Sequence, residues 1–138
     1  MTVTLTSKQY KNISALVKIG RRRDDELRLH KSVVDYINRV MPGHAGFHVP
    51  NGERRDARTA AKLKSMGTRA GVPDYCFPCA GGRVLWMEFK APGGKLSQVQ
   101  RVFIGLLRDL GHTVAIVESV DDVRNTFRAY GVQTREAK

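Results

Sequence analysis

"GVPDYCFPCAGGRVLWMEFKAPGGKLSQVQ", residues 71–100, sets an acid directly behind a proline and then, inside a run of Val, Leu, Trp, Met and Phe, a Glu and a Lys two residues apart. "PDYCFPCA" and "RVLWMEFKA" are strand candidates, and Gly81 and Gly82 between them signal a hairpin. Pro78 confines the end of the first strand to an edge or a bulge. Alternate residues of a strand share a face, so Glu88 and Lys90 project together while Met87 and Phe89 point the other way. Asp74, across the hairpin, comes within reach of Glu88. A buried lone carboxylate is costly and a neighbouring lysine offsets that only in part, so either this face is wet or a cation sits on it. Charged residues alternating along a strand also describe an ordinary solvated face, and an Asp after Pro an ordinary turn, so spacing alone leaves both open.

Downstream, Ser97 suits the N-cap of a helix in which Val99, Val102, Phe103, Leu106, Leu107 and Leu110 recur at helical spacing, with Gly111 ending it. "HTVAIVE" follows as a short, continuously apolar strand, which makes a βαβ unit with its strand parallel to the Glu-x-Lys strand. "SVDDVRNTFRAYG" closes the chain as a helix, with Ser119 and Asp122 as a capping box and Val120, Val123, Phe127 and Tyr130 as its inner stripe. Upstream, "DARTAAKLKSMG" fits a helix capped by Asp56 and closed by Gly67, and "AGFHVPNGERRD" a short extended piece with a turn at Asn51 and Gly52. "DDELRLHKSVVDYINRVM" predicts a helix that starts at Asp24 and Asp25, with Leu29, Val33, Ile37 and Val40 on one stripe and Glu26 on the same stripe. Residues 1–23 read as a basic arm or short helix ending in "RRR", and residues 24–138 as one domain.

The chain has 138 residues, 41% apolar and 27% charged, which is the composition of one globular domain rather than a disordered chain. Lys and Arg total 24 against 13 Asp and Glu, a net +11 that makes nucleic acid the first partner to consider. No apolar stretch approaches a membrane span and no signal peptide is recognisable, which predicts a cytoplasmic protein. Cys76 and Cys79 are half of a four-cysteine zinc site and read as strand or turn residues. His30, His44, His48 and His112 fall in no metal-binding motif. Trp86 suits either the core or the border of the Glu88 face.

The company these residues keep resembles the VRR-NUC family of the PD-(D/E)xK nucleases. Its pattern is a Gly-x-Pro-Asp before one strand, here Gly71 to Asp74, a Glu-x-Lys on the next, here Glu88 to Lys90, and a Ser-x-x-Gln opening a helix, here Ser97 to Gln100. "PNGERR" and "AAKLKSMGTRAGVPD" look like the stretch before the active strand in stand-alone phage and bacterial members, so the resemblance covers roughly residues 24–118. It implies an α/β fold with a restriction-endonuclease-like core, a mixed central sheet flanked by helices. It implies that Asp74 and Glu88 hold Mg²⁺ or Mn²⁺, to which the backbone carbonyl of Phe89 on the same strand could add an oxygen, that Lys90 serves the attacking water, and that Gln100 assists beside the site. Glu26 matches the family's first-helix glutamate and would reach the metal, directly or through water. Two carboxylates with open coordination places are the ligand set Mg²⁺ uses.

Arg54, Arg55, Arg58 and Lys62 are the first candidates for phosphate contact, and Lys95 and Arg101 the second. The expected activity is endonucleolytic cleavage of branched, flapped or Holliday-junction DNA by a homodimer, in a bacterial host if phage-encoded. The alternatives are a non-catalytic DNA-binding module and a nuclease subunit silent without a phage partner.

Overall fold

The computed structural model describes residues 6–51 and 55–136. Its elements run α1 (Ser7–Val40), β1 (Phe47–His48), α2 (Ala57–Ser65), β2 (Tyr75–Pro78), a 3₁₀ turn (Ala80–Gly82), β3 (Val84–Phe89), α3 (Gln98–Asp109), β4 (Thr113–Val117) and α4 (Val120–Tyr130). The four strands form one mixed sheet in the order β1-β2-β3-β4. The pairs β1–β2 and β2–β3 are antiparallel, with Cys76 opposite Trp86, and β3–β4 is parallel, with Glu88 opposite Ile116. This is the mixed α/β sheet flanked by helices that the sequence predicts. Pro78 ends β2 beyond the two-residue span of β1, where its missing N–H costs no ladder bond.

The alternation of β3 assigns its two faces. Leu85, Met87 and Phe89 pack with Val33, Tyr36 and Ile37 of α1, Phe77 of β2 and Val123 and Phe127 of α4 in the larger core. Trp86 turns to the other face, against the smaller core of Ile104, Leu107 and Val114 under α3. Trp86 is thus partly buried against that core, with its indole N–H donating to His112 Nδ1 at 3.4 Å.

Two expectations need correction. The first helix does not start at Asp24: α1 is continuous from Ser7, capped by Thr6 and Gln9 in a capping box, and spans about 50 Å at 1.5 Å per residue. Arg21 to Arg23 are good helix formers, and one glycine, Gly20, costs only about 1 kcal/mol, so nothing in this stretch breaks a helix. The acids at 24 and 25 lie inside the helix, where Asp25 pairs with Arg28 at 3.7 Å.

The second correction is the inner stripe of α3. Ile104 and Leu107 are buried and Phe103 partly so, whereas Val99, Val102, Leu106 and Leu110 are 51%, 68%, 41% and 68% exposed. The inward face is the one that carries Gln100, four positions before Ile104 and seven before Leu107. Reaching Glu88 with Gln100 fixes the rotation of α3 and leaves the second apolar flank outside.

The C-terminal tail ties the helices together. Arg135 N–H donates to the Val40 carbonyl at 2.8 Å. Glu136 accepts from the Tyr36 hydroxyl at 2.8 Å and pairs with Arg124 at 3.1 Å. No helix among the described residues is long and apolar enough to cross a membrane.

Candidate active site

Gly71 opens the segment that delivers Asp74. Its φ of +85° and an imagined Cβ only 2.6 Å from the Val99 carbonyl oxygen show why no larger residue fits: the loop presses against the start of α3. Pro73 behind it is fully buried. Asp74 is then held at two points. Its carbonyl accepts from Val49 N–H at 2.7 Å, and its carboxylate Oδ2 accepts from Phe89 N–H at 2.9 Å. Residues at the ends of β1, β2 and β3 thus converge on this one acid.

Glu88 lies on the α3 side of β3 and is 1% exposed. Lys90, just past the strand and anchored by its N–H to the Val117 carbonyl at 2.9 Å, places Nζ 2.9 Å from Glu88 Oε1. Gln100 Nε2 donates to that same oxygen at 2.6 Å. The opposite end of the Gln100 amide, Oε1, accepts from Ser97 N–H at 2.9 Å while Ser97 Oγ accepts from Gln100 N–H at 3.2 Å. The Ser-x-x-Gln pattern is therefore a capping box whose glutamine still has a donor to spare for Glu88.

Glu88 Oε2 is buried and has no hydrogen-bond partner among the described residues. A native buried polar atom left alone calls for an explanation, and an ion is one. Burial, and after it the charge of Asp74, push the Glu88 carboxyl up to about 7 against the pull of Lys90. Burial works to lower the Lys90 ammonium, but the Glu88 carboxylate outweighs it and holds it above its ordinary value. Asp74 and Glu26 raise Glu88 through space, so three acids share this end of the sheet. Among the described residues no three His, Cys, Asp or Glu side chains are arranged to hold a metal by themselves. The donors on offer are the Glu88 and Asp74 carboxylates and the Phe89 carbonyl, hard oxygens that fit a divalent cation which keeps part of its water shell.

Glu26, half-buried on α1, lines a small cavity with Arg23, Leu27, His30, Asp74 and Phe89. The structure thus brings Asp74, Glu88, Lys90, Gln100 and Glu26 to the C-terminal end of β3. It also brings two histidines that the sequence leaves scattered. The His30 ring sits 4.6 Å from Phe89 and 4.7 Å from His48, and His48 Nδ1 is 3.0 Å from the Asp74 carbonyl oxygen. Burial, then the neighbouring His48, hold the His30 imidazole below its ordinary value, with Asp74 pulling the other way. One signal was present in the sequence: His30 lies four positions after Glu26, on the same helix face.

The basic candidates are placed as follows. Arg58 and Lys62 stand exposed one turn apart on α2, a helix with no buried residue. Arg55 donates to the Pro50 carbonyl and Arg101 to the Leu96 carbonyl at 2.9 Å, so both brace loops as well as carrying charge. Lys95 is exposed in the loop before α3. Arg54 lies outside the described residues. Cys76 is buried in β2 and Cys79 half-buried beyond it, both free, with burial pushing each thiol up.

Residues 48–121 match the VRR-NUC domain family, which is more than half of the chain and includes Asp74, Glu88, Lys90 and Gln100. The chain belongs to the VRR-NUC family. A solved structure titled "VRR_NUC domain protein" superposes with a TM-score of 0.62 at 23% identity, over 76% of this chain and 86% of that one, and shares the fold. "Putative nuclease p44" of Acyrthosiphon pisum secondary endosymbiont phage 1 is 35% identical over 74 residues, which span 54% of this chain and 78% of that protein. This VRR-NUC domain is therefore a nuclease domain, similar to a phage protein of that description.

Proposed function

We propose that this VRR-NUC protein is a divalent-cation-dependent DNA endonuclease, selective for branched DNA and active as a homodimer. The observation that carries the reading is the orphaned, buried Oε2 of Glu88 beside Asp74: two carboxylates held at one point, with one oxygen supplied with no proton donor. Asp74, Glu88 and the Phe89 carbonyl would hold Mg²⁺ or Mn²⁺, and Glu26 would reach it directly or through water. When bound, such an ion lowers the pKa of water and offsets charge on the phosphoryl group.

The chain's own residues do the rest. Gln100 and Lys90 both donate to Glu88 Oε1, which turns Oε2 toward the site. Phe89 N–H fixes the rotation of the Asp74 carboxylate. Lys90, its ammonium held against Glu88 Oε1, would orient the attacking water and offset the charge that grows on the phosphoryl oxygens. In-line attack would leave a 5′-phosphate and a 3′-hydroxyl. Exposed Arg58 and Lys62, with Arg55, Lys95 and Arg101, would meet backbone phosphates, which gives affinity without reading sequence. A homodimer would offer two such sites to two symmetric strands.

One observation favours a second reading, activation by a partner protein: the apolar flank of α3, from Val99 to Leu110, stands exposed. The test uses labelled duplex, flap and four-way junction DNA with Mg²⁺, Mn²⁺ or EDTA, alongside sedimentation of the free protein. Metal-dependent cutting of the branched substrates is expected, lowered about 10³-fold or more in Glu88→Gln with DNA binding retained. Tight binding without cutting of any substrate would move the weight to the partner-activated reading.

A further inference from the structure

Lys90, the cation closest to the chemistry, is 8% exposed and already bonded to Glu88, so it meets a phosphodiester only in part. A site with Asp74, Glu88 and Glu26 at one end of the sheet repels a phosphate until positive charge is provided at its mouth. Among the described residues lining the cavity in front of Asp74 and Phe89, Arg23 is the one lysine or arginine. It is exposed, on the same face of α1 as Glu26 and His30, three and seven positions on.

We propose that Arg23 is a phosphate-binding residue of this site, whose guanidinium takes two non-bridging oxygens at the scissile phosphate. The inference rests on the nuclease reading above and adds to it a residue outside the Asp, Glu, Lys and Gln set. Guanidinium is the suited group, because its planar fork matches two phosphate oxygens and its charge is permanent. The arrangement also gives a use to the unbroken course of α1: a helix starting at Asp24 would leave Arg23 in a loop, whereas the continuous helix fixes it one turn before Glu26. Of the three consecutive arginines only Arg23 lines the cavity; Arg21, two positions back, falls on nearly the opposite side of a 3.6-residue helix.

The experiment is single-turnover cleavage by the full chain at saturating DNA with Mg²⁺ or Mn²⁺, for wild type, Arg23→Gln, Arg23→Lys and Arg21→Gln. Equilibrium DNA binding in EDTA is measured on the same set. All four fold alike, since both positions are exposed on a helix, and circular dichroism checks this. Arg23→Gln is expected to lower the saturated rate about 10²-fold, Arg23→Lys to recover part of it, and Arg21→Gln to leave it within about twofold. In EDTA the two Gln variants, each one charge short, are expected to lose the same modest affinity. A saturated rate of Arg23→Gln equal to that of Arg21→Gln overturns the assignment while leaving the nuclease reading intact. No cleavage by wild type with either metal removes the reading of a nuclease active by itself, and the Arg23 assignment with it.

Discussion

Asp74 is gripped through its carbonyl by Val49 and through its carboxylate by Phe89, so its position is decided by β1 and β3 as well as by its own loop. Asp74→Asn keeps an acceptor oxygen for Phe89 N–H and nearly the same shape, and the variant is expected to fold. What it lacks is the charge. Thermal scans with and without Mn²⁺ should show wild type rising by several degrees at saturating ion, since about 100 Kd of ligand stabilises by about 2.7 kcal/mol, with Asp74→Asn hardly moving. An equal rise in both would remove Asp74 from the ion's neighbourhood. The four residues from Asp74 to Gln100 were legible because their chemistry is packed into one short stretch, where strand alternation and a helix start convert spacing into direction. His30 and His48 were not, because they meet only after folding brings α1 and β1, each far from the hairpin in sequence, together, with the His30 ring against both His48 and Phe89.

Helices carry the two misreadings, and each has a physical cause. The change of charge sign at Asp24 suggests a start for α1, but a helix stops at a breaker, and Gly20 alone is not one. A Cβ added at Gly20 meets nothing within 4 Å, so Gly20→Ala is expected to stabilise α1 by about 0.5–1 kcal/mol, seen as greater helicity and a higher melting temperature. Gly71→Ala should do the reverse. Its positive φ and the Val99 backbone force either the loop or α3 to shift, and a loss of at least about 1 kcal/mol with reduced cleavage is expected. In α3 apolar residues occupy both flanks, and counting them cannot say which flank is inside. The polar Gln100 decides it, a cue available only once Glu88 is known to need a donor.

For the molecule as a whole, the order of elements, the hairpin and the parallel β3–β4 pair follow from turn residues and connection lengths, and all three were legible. The tail was not, because Arg124, Tyr36 and Glu136 are brought together by folding from three distant segments. The Arg124 guanidinium, with the Tyr36 hydroxyl, holds the Glu136 carboxyl below its ordinary value. A depressed carboxylate adds stability above its unfolded pKa and loses it as pH falls through the folded value. Wild type should therefore melt above Glu136→Gln near pH 7, with the gap narrowing below about pH 4.5 and closing in stronger acid. A gap independent of pH would assign Glu136 a packing role only. The net charge of +11 makes its own prediction: Arg58→Ala and Lys62→Ala should each reduce the salt slope of DNA binding by about 1, for any DNA sequence.

The shared amide of Gln100 makes the first turn of α3 part of the site's assembly equilibrium. Each time that turn frays, Glu88 loses a donor and the helix loses its cap in the same event. The exchange rate of that turn's amide hydrogens then reads out how much of the population is assembled at any moment. An opening cost of about 2.8 kcal/mol would leave about one molecule in a hundred without its glutamine in place.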